Sequence, residues 1–186
     1  MRKKLNAIDL DKTLLPYNSW AKFVIIFLGN WHCFFPIIYF SFLRGIGVLT
    51  RGGYQKNLLM VIRKTEGYEN TAKTFGEGLY QDVRTHLVHF IGENTDEATV
   101  NVVCTASPED YVKYLCDKLG WSYLCSTLDQ EGTHFIHMFR EQKIISIQQR
   151  YPADNFEYHL GLSDDRKDLG FLKLFKKYYL VRKGRL

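Results

Sequence analysis

Paired cysteines, internal repeats and low-complexity linkers are all missing from this chain. Its four cysteines, Cys33, Cys104, Cys116 and Cys125, show no C-x-x-C spacing. That speaks against a zinc knuckle or a disulfide framework and fits a reducing compartment. Carboxylates are missing from one long stretch: residues 17–64 carry Lys22, Arg44, Arg51, Lys56, Arg63 and Lys64 but no acidic residue. The tail from Leu172 repeats the bias with Lys173, Lys176, Lys177, Arg182, Lys183 and Arg185. Such asymmetry suits an anionic ligand or surface, although a solvated basic face would look the same in the tail. There is no helix-turn-helix, RNA-binding signature or stacking ladder, so no nucleic-acid partner is expected. Asp9 and Asp11 interrupt the apolar stretch behind the basic residues 1–4. An exported protein is therefore not expected, and the expected location is cytoplasmic.

What remains is a chain of 186 residues, 46% hydrophobic and 15% aromatic, which suits one α/β domain with a modest insertion and a real core. Short β-rich apolar runs occur at residues 5–8, 99–104, 123–128, 156–160 and 178–181. Helix-like segments at 108–119, 141–150 and 169–176 lie between several of them. This alternation predicts a mostly parallel sheet with helices on both faces. A turn at 128–133 predicts a hairpin between 123–128 and 134–139.

Residues 16–92 interrupt this order and read as an inserted helical unit, with helices at 19–28, 35–43, 54–64, 69–80 and 81–90. The last belongs to either the insertion or the core. Breaks are expected at Gly45-Ile46-Gly47, at Gly52-Gly53 and, splitting the apolar run into two short helices, at Pro36 with the polar Asn30 and His32 nearby. The run 23–43 carries no formal charge and is long enough, at about 21 residues, for one span. An insertion must return to the side it left, so a single crossing is excluded. A buried helical cap is expected, with a surface-lying hydrophobic hairpin as the alternative.

The chemistry starts at Asp9-Leu10-Asp11-Lys12-Thr13, directly after the first apolar run. Two carboxylates one residue apart at a strand end share a crevice, where one can attack an electrophile while the other handles a proton. A second apolar strand ends in Thr105-Ala106-Ser107-Pro108. Here Ser107 is expected to N-cap a helix whose free N–H groups cradle phosphate. Lys143 lies in a helical segment, and Ser163-Asp164-Asp165-Arg166-Lys167-Asp168 follows another strand. Carboxylates facing Asp9 and Asp11 there would supply oxygen ligands for Mg²⁺.

Taken in order, D-x-D-x-T, apolar-Thr, Lys and S-D-x-x-x-D resemble the haloacid dehalogenase-like (HAD) phosphatases, over essentially the whole chain. The branch most similar is the phosphoserine phosphatase-like one, with a helical cap inserted after the first motif. The resemblance implies a Rossmann-like three-layer α/β core of residues 1–15 and 93–186 and a cap of residues 16–92, with 81–92 assignable to the core. It implies a Mg²⁺-dependent phosphatase in which Asp9 is the nucleophile of an aspartyl-phosphate intermediate and Asp11 the general acid and base. Thr105, Ala106 and Lys143 would bind the phosphoryl group. Asp9, the Asp11 backbone carbonyl and Asp164 would hold the metal. Asp168 would orient Lys143 or a metal-bound water, with Asp165 beside the site. The carboxylate of Asp11 points to phosphomonoester chemistry rather than dehalogenation.

Residues 14–20 lack the glutamate with which phosphoserine phosphatases usually recognise the substrate amine, and Ala106-Ser107-Pro108 replaces their glycines. The T-x-S-P form, greasy cap and basic tail also resemble a bacterial phosphatidylglycerophosphate phosphatase group. A small polar phosphomonoester is the expected substrate. A lipid phosphate, with the protein peripheral on an anionic inner-membrane surface, is the alternative, and a non-catalytic membrane-binding protein the second. His86/His89 and His134/His137 are expected to be packing or surface residues. Tyr17, Trp20 and Trp31 are expected either to line the cap entrance or to join its core.

Overall fold

A computed structural model of the protein describes residues 2–182, 184 and 185; Lys183 of the basic tail lies outside them. Six strands form one sheet: β1 (Lys3–Ile8), β2 (Thr99–Pro108), β3 (Ser122–Leu128), β4 (Phe135–Ile136), β5 (Phe156–Ser163) and β6 (Lys177–Leu180). Their spatial order is β4-β3-β2-β1-β5-β6. β1 pairs in parallel with β2 and β5, β2 with β3, and β5 with β6, while β4 is antiparallel to β3. The expected hairpin exists, but its second arm is only the two residues of β4. Asp129 builds the turn by accepting hydrogen bonds from the Thr133 N–H, the Thr133 hydroxyl and the His134 N–H, an Asx-type loop.

Alternation along the strands divides the core between the two faces of the sheet. Leu5, Ala7, Val102 and Cys104 meet Ile147 of α7 (Glu141–Arg150) and Phe171 and Leu172 of α8 (Leu169–Leu172). Ile8 and Val103 face the other way, toward Tyr111, Val112 and Leu115 of α6 (Glu109–Leu119). The cluster on that second face continues into the helices between β1 and β2: α1 (Ser19–Ile26), α2 (Trp31–Gly45), α3 (Arg51–Ile62), α4 (Tyr68–Gly78) and α5 (Thr85–Glu93). Helices therefore lie on both faces of a mostly parallel sheet, as expected.

Several local expectations need correction. Pro36 does not break the chain; it rides inside α2. The break falls earlier, at Gly29 and Asn30, where the Asn30 side chain accepts from the His32 N–H and caps α2. Gly52 and Gly53 are not a joint but the first turn of α3, which Thr50 caps through the Gly53 N–H. A Cβ on Gly52 would stand 3.3 Å from the His137 ring, so a small residue here lets α3 approach β4. Gly76 plays the same part on α4, where a Cβ would clash with the Tyr111 carbonyl oxygen of α6. Glycine thus seats α4 directly on α6.

The apolar run also behaves differently from a buried cap. α1 buries Ser19, Phe23 and Val24, but α2 buries only Cys33 and Ile37. No helix among the described residues is long and apolar enough to cross a membrane.

Candidate active site

β1 and β5 run in parallel, side by side, and Asp9 and Asp164 follow their carboxyl ends. The Asp9 N–H donates to the Leu162 carbonyl at 2.8 Å, which extends the β1–β5 ladder to Asp9. Central strands shielded on both faces make a rigid mount for such a side chain.

Lys143, on α7, reaches the same point from a site 134 positions away. Its Nζ lies 2.7 Å from Asp9 Oδ1 and 2.7 Å from Asp168 Oδ2, with the lysine side chain only 2% exposed. The turn into α7 is unusual, because Arg140 adopts φ 52° without being glycine. Ser163 completes this side by donating its hydroxyl to Asp168 Oδ2 at 2.8 Å. Burial pushes the Asp9 carboxyl up to about 7, with Lys143 pulling the other way. Burial opposes the charge on Lys143, but Asp9 and Asp168 outweigh it and hold its pKa above that of a free lysine. Lys143 is therefore an ammonium clamped between two buried carboxyl groups.

Thr13, quoted within the pentapeptide but assigned no role from sequence, joins the two strand ends. Its hydroxyl lies 3.3 Å from Asp9 Oδ2 and accepts from the Asp164 N–H at 2.8 Å. Asp164 is half-buried, and burial together with the neighbouring Asp165 raises its pKa. Asp165 itself caps a short turn, Oδ1 accepting from the Lys167 N–H at 2.9 Å.

Asp11 is held by the first helix of the insertion. Its Oδ1 accepts from the Ser19 N–H at 2.7 Å and the Ser19 hydroxyl at 2.6 Å, and its Oδ2 from the Ser107 hydroxyl at 2.8 Å. The Ser19 hydroxyl also lies 2.9 Å from that of Tyr111 and 3.1 Å from that of Ser107. Ser107 is thus no helix cap. β2 runs on through Pro108, and the buried Ser107 hydroxyl is spent on Asp11. A three-residue motif cannot reveal this, because the partner lies 96 positions away.

Asp9, Asp11, Thr105, Ala106, Lys143, Asp164, Asp165 and Asp168 all line one small cavity of about 90 Å³, together with Asn18, Arg51 and others. At roughly 30 Å³ per water it suits a phosphoryl group and a cation rather than a whole substrate. A larger cleft of about 650 Å³ adjoins it and shares Asp11, Asn18, Arg51 and Ala106. Its walls come from α1, α2 and α3 and include Trp20, Val24, Leu28 and Ile37, with Arg44 as a second cation. Trp20 therefore lines the cleft. Trp31 does not; it stands in solvent. Tyr17 packs against the core and donates its hydroxyl to Asp82.

The oxygen donors fit Mg²⁺. Among the described residues no three His, Cys, Asp or Glu side chains form a closed cage, and Mg²⁺ does not need one, binding through one or two carboxylates, waters and substrate phosphate. Asp168 Oδ1 is buried without a hydrogen-bond partner among the described residues, which leaves an acceptor free at the cavity. The histidines stay outside this set. His86 Nε2 lies 2.6 Å from the Gly184 carbonyl and His89 pairs with Glu93. The His137 Nδ1 lies 3.0 Å from Gln55 Oε1, at the seam between α3 and β4.

Solved structures with the same fold include a protein of unknown function from Bordetella pertussis Tohama I. It is 18% identical with TM-score 0.74, covering 96% of this chain and 89% of its own. A phosphoserine phosphohydrolase-like protein from Francisella tularensis subsp. tularensis SCHU S4 is 10% identical with TM-score 0.52, covering 96% and 95%. A phosphoserine phosphatase solved as a phospho-aspartyl intermediate analogue is 13% identical with TM-score 0.50, covering 96% and 86%. Among curated proteins no sequence matches. The haloacid dehalogenase-like hydrolase family model matches residues 7–173, a span that holds every residue of the cavity, and the chain belongs to that family.

Proposed function

We propose that this protein is a Mg²⁺-dependent phosphatase that hydrolyses a phosphomonoester through an aspartyl-phosphate on Asp9. The observation that carries the reading is the buried Asp9–Lys143–Asp168 ion cluster facing the same small cavity as Asp11 and Thr105. An Asp9 oxygen attacks phosphorus, and the ester P–O bond breaks. Asp11 gives its proton to the leaving oxygen, then takes one from the water that cleaves the Asp9–phosphorus bond. Lys143, Thr105 and the Ala106 backbone hold the phosphoryl oxygens as charge develops on them. Mg²⁺, held by Asp9, the Asp11 carbonyl and Asp164, would offset phosphoryl charge. Asp168 positions Lys143. The complete set of reacting groups counts against a protein that only binds membranes.

The domain division expected from sequence is part of the same reading, with residues 16–92 inserted into a core of 1–15 and 93–186. Within the insertion, α1, α2 and α3 wall the cleft and act as the lid. α4 packs on α6, and Arg84 before α5 donates to the Lys12 and Thr13 carbonyls at 2.9 Å each, so 81–92 moves with the core.

The cleft favours the second of the two expected substrate classes. Its walls carry Val24, Ile25, Leu28, Ile37 and Ile38 and no carboxylate besides Asp11. A compact polar ester leaves these walls unused, whereas an ester with an apolar body fills them. The test is phosphate release with Mg²⁺ from amino-alcohol, sugar and micellar lipid phosphates, with Asp9→Asn as the blank. Folded Asp9→Asn with full activity would sink the mechanism, and preference for a sugar phosphate would sink the lipid reading.

A further inference from the structure

Ten of the fifteen exposed large apolar side chains among the described residues fall within residues 25–48. α2 gathers most of them on one stripe. Trp31, Phe35, Ile38 and Phe42 follow one another at spacings of three and four, and each is more than half exposed. Trp31 and Phe35 touch edge to face at 4.9 Å on this outer side. The inner stripe of Cys33, Ile37 and Phe40 packs into the core. Single exposed apolar residues are ordinary on protein surfaces, but a contiguous aromatic face is not.

Charge and continuity say what covers it. No acidic residue occurs anywhere in residues 17–64, and the cations Arg44 and Arg51 line the cleft beside the face. A partner of negative charge is thereby favoured. Ile25 and Ile38 belong at once to the exposed face and to the wall of the cleft, so whatever seats on the face meets the cleft mouth. α2 has 15 residues, about 22 Å at the helical rise, which is too short to span a bilayer but long enough to lie along its surface.

We propose that the α1–α2 face is a docking surface for an anionic lipid bilayer. Trp31, Phe35 and Phe42 enter the acyl boundary, Arg44 sits at headgroup level, and the cleft opens into the leaflet. Docking does not depend on the phosphatase reading, but the two together place an amphiphilic substrate within reach of the site without its leaving the membrane.

The test is co-sedimentation of the full chain with vesicles of equal parts phosphatidylglycerol and phosphatidylcholine, and with phosphatidylcholine alone. The comparison protein is the triple variant Trp31→Ser, Phe35→Ser and Phe42→Ser, whose sites are exposed and outside both cavities. Wild type should bind the anionic vesicles, more weakly at high salt, and bind phosphatidylcholine alone at least tenfold less. The triple variant should lose at least tenfold in binding while releasing phosphate from p-nitrophenyl phosphate at the wild-type rate. Absence of wild-type binding overturns the proposal, as does binding the triple variant retains. A vesicle-free dimer that the triple variant dissolves overturns it too, assigning the face to a second copy. Vesicle binding without phosphate release from any ester would uphold docking and refute the phosphatase reading.

Discussion

Replacing Lys143 by methionine removes a charge whose two partners cannot follow it into water. Asp9 and Asp168 both lie 2.7 Å from the ammonium, and Asp168 is 3% exposed. Methionine keeps most of the side-chain volume, so the variant isolates the charge rather than opening a cavity. Breaking a buried ion cluster on one side costs about 3–5 kcal/mol, a large share of the roughly 5–15 kcal/mol of a typical domain. The cost depends on pH in a definite direction. Without Lys143 the buried Asp9 carboxyl holds its proton to a higher pH than unfolded Asp does, whose pKa is about 3.9. The native variant then binds more protons than the unfolded chain above that value, and its stability falls as pH rises. Urea unfolding at pH 5 and pH 8 should show the smaller loss at pH 5. Adding Asp168→Asn to Lys143→Met should recover part of it, because one stranded carboxylate is gone. Phosphate release by Lys143→Met should fall about 10²–10³-fold, the scale of losing a charge-stabilising donor. A loss under about 1 kcal/mol, or one equal at both pH values, would refute the account of Lys143 as the counter-charge of a buried pair.

Other changes probe separate parts of the structure. Ser107→Ala removes one of three hydrogen bonds to Asp11; the rate constant kcat should fall about tenfold, with KM little changed, as for a charge-assisted bond of about 1.4 kcal/mol. Arg63→Met breaks the contacts of Arg63 Nε and Nη2 with Asp110, at 2.7 and 2.9 Å, and the bonds to the Leu128 and Asp129 carbonyls. It should lower stability by about 3 kcal/mol in urea titrations, and a change under half that would deny the clamp its role. Burial, with Arg51 nearby, lowers the His137 pKa to about 4. Below the unfolded value of about 6.5 the unfolded chain takes up a proton that the native state refuses. Stability should therefore fall as pH drops from 6.5 toward 4, by at most about 2 kcal/mol because the ring is partly exposed. His137→Phe should flatten that limb, and an unchanged slope would assign it to other groups.

Contiguous signals carried much of this from sequence. Short β-rich apolar runs located β1, β2, β3, β5 and β6 because such runs are local; Asp9, Asp11 and Thr105 could be picked out at strand ends, and Lys143, on α7, only through the order of the motifs. Pro36 and Gly52 misled because helix capping by Asn30 and Thr50, not propensity alone, determined where the chain broke. Thr13 sat in plain view without a role, since its bond to the Asp164 N–H spans 151 positions.

By itself the amino-acid order determined the fold class and singled out the groups that line the small cavity, because most of them lie within a few residues of a strand end. Only the tertiary structure decided what holds those groups and what approaches them. Ser107 serves Asp11 instead of a helix, Asp168 shares the ammonium with Asp9, and α1, α2 and α3 enclose an apolar cleft while α2 turns its aromatics outward. These outcomes depend on which distant surfaces pack together. Packing is a property of three-dimensional proximity that no local period encodes.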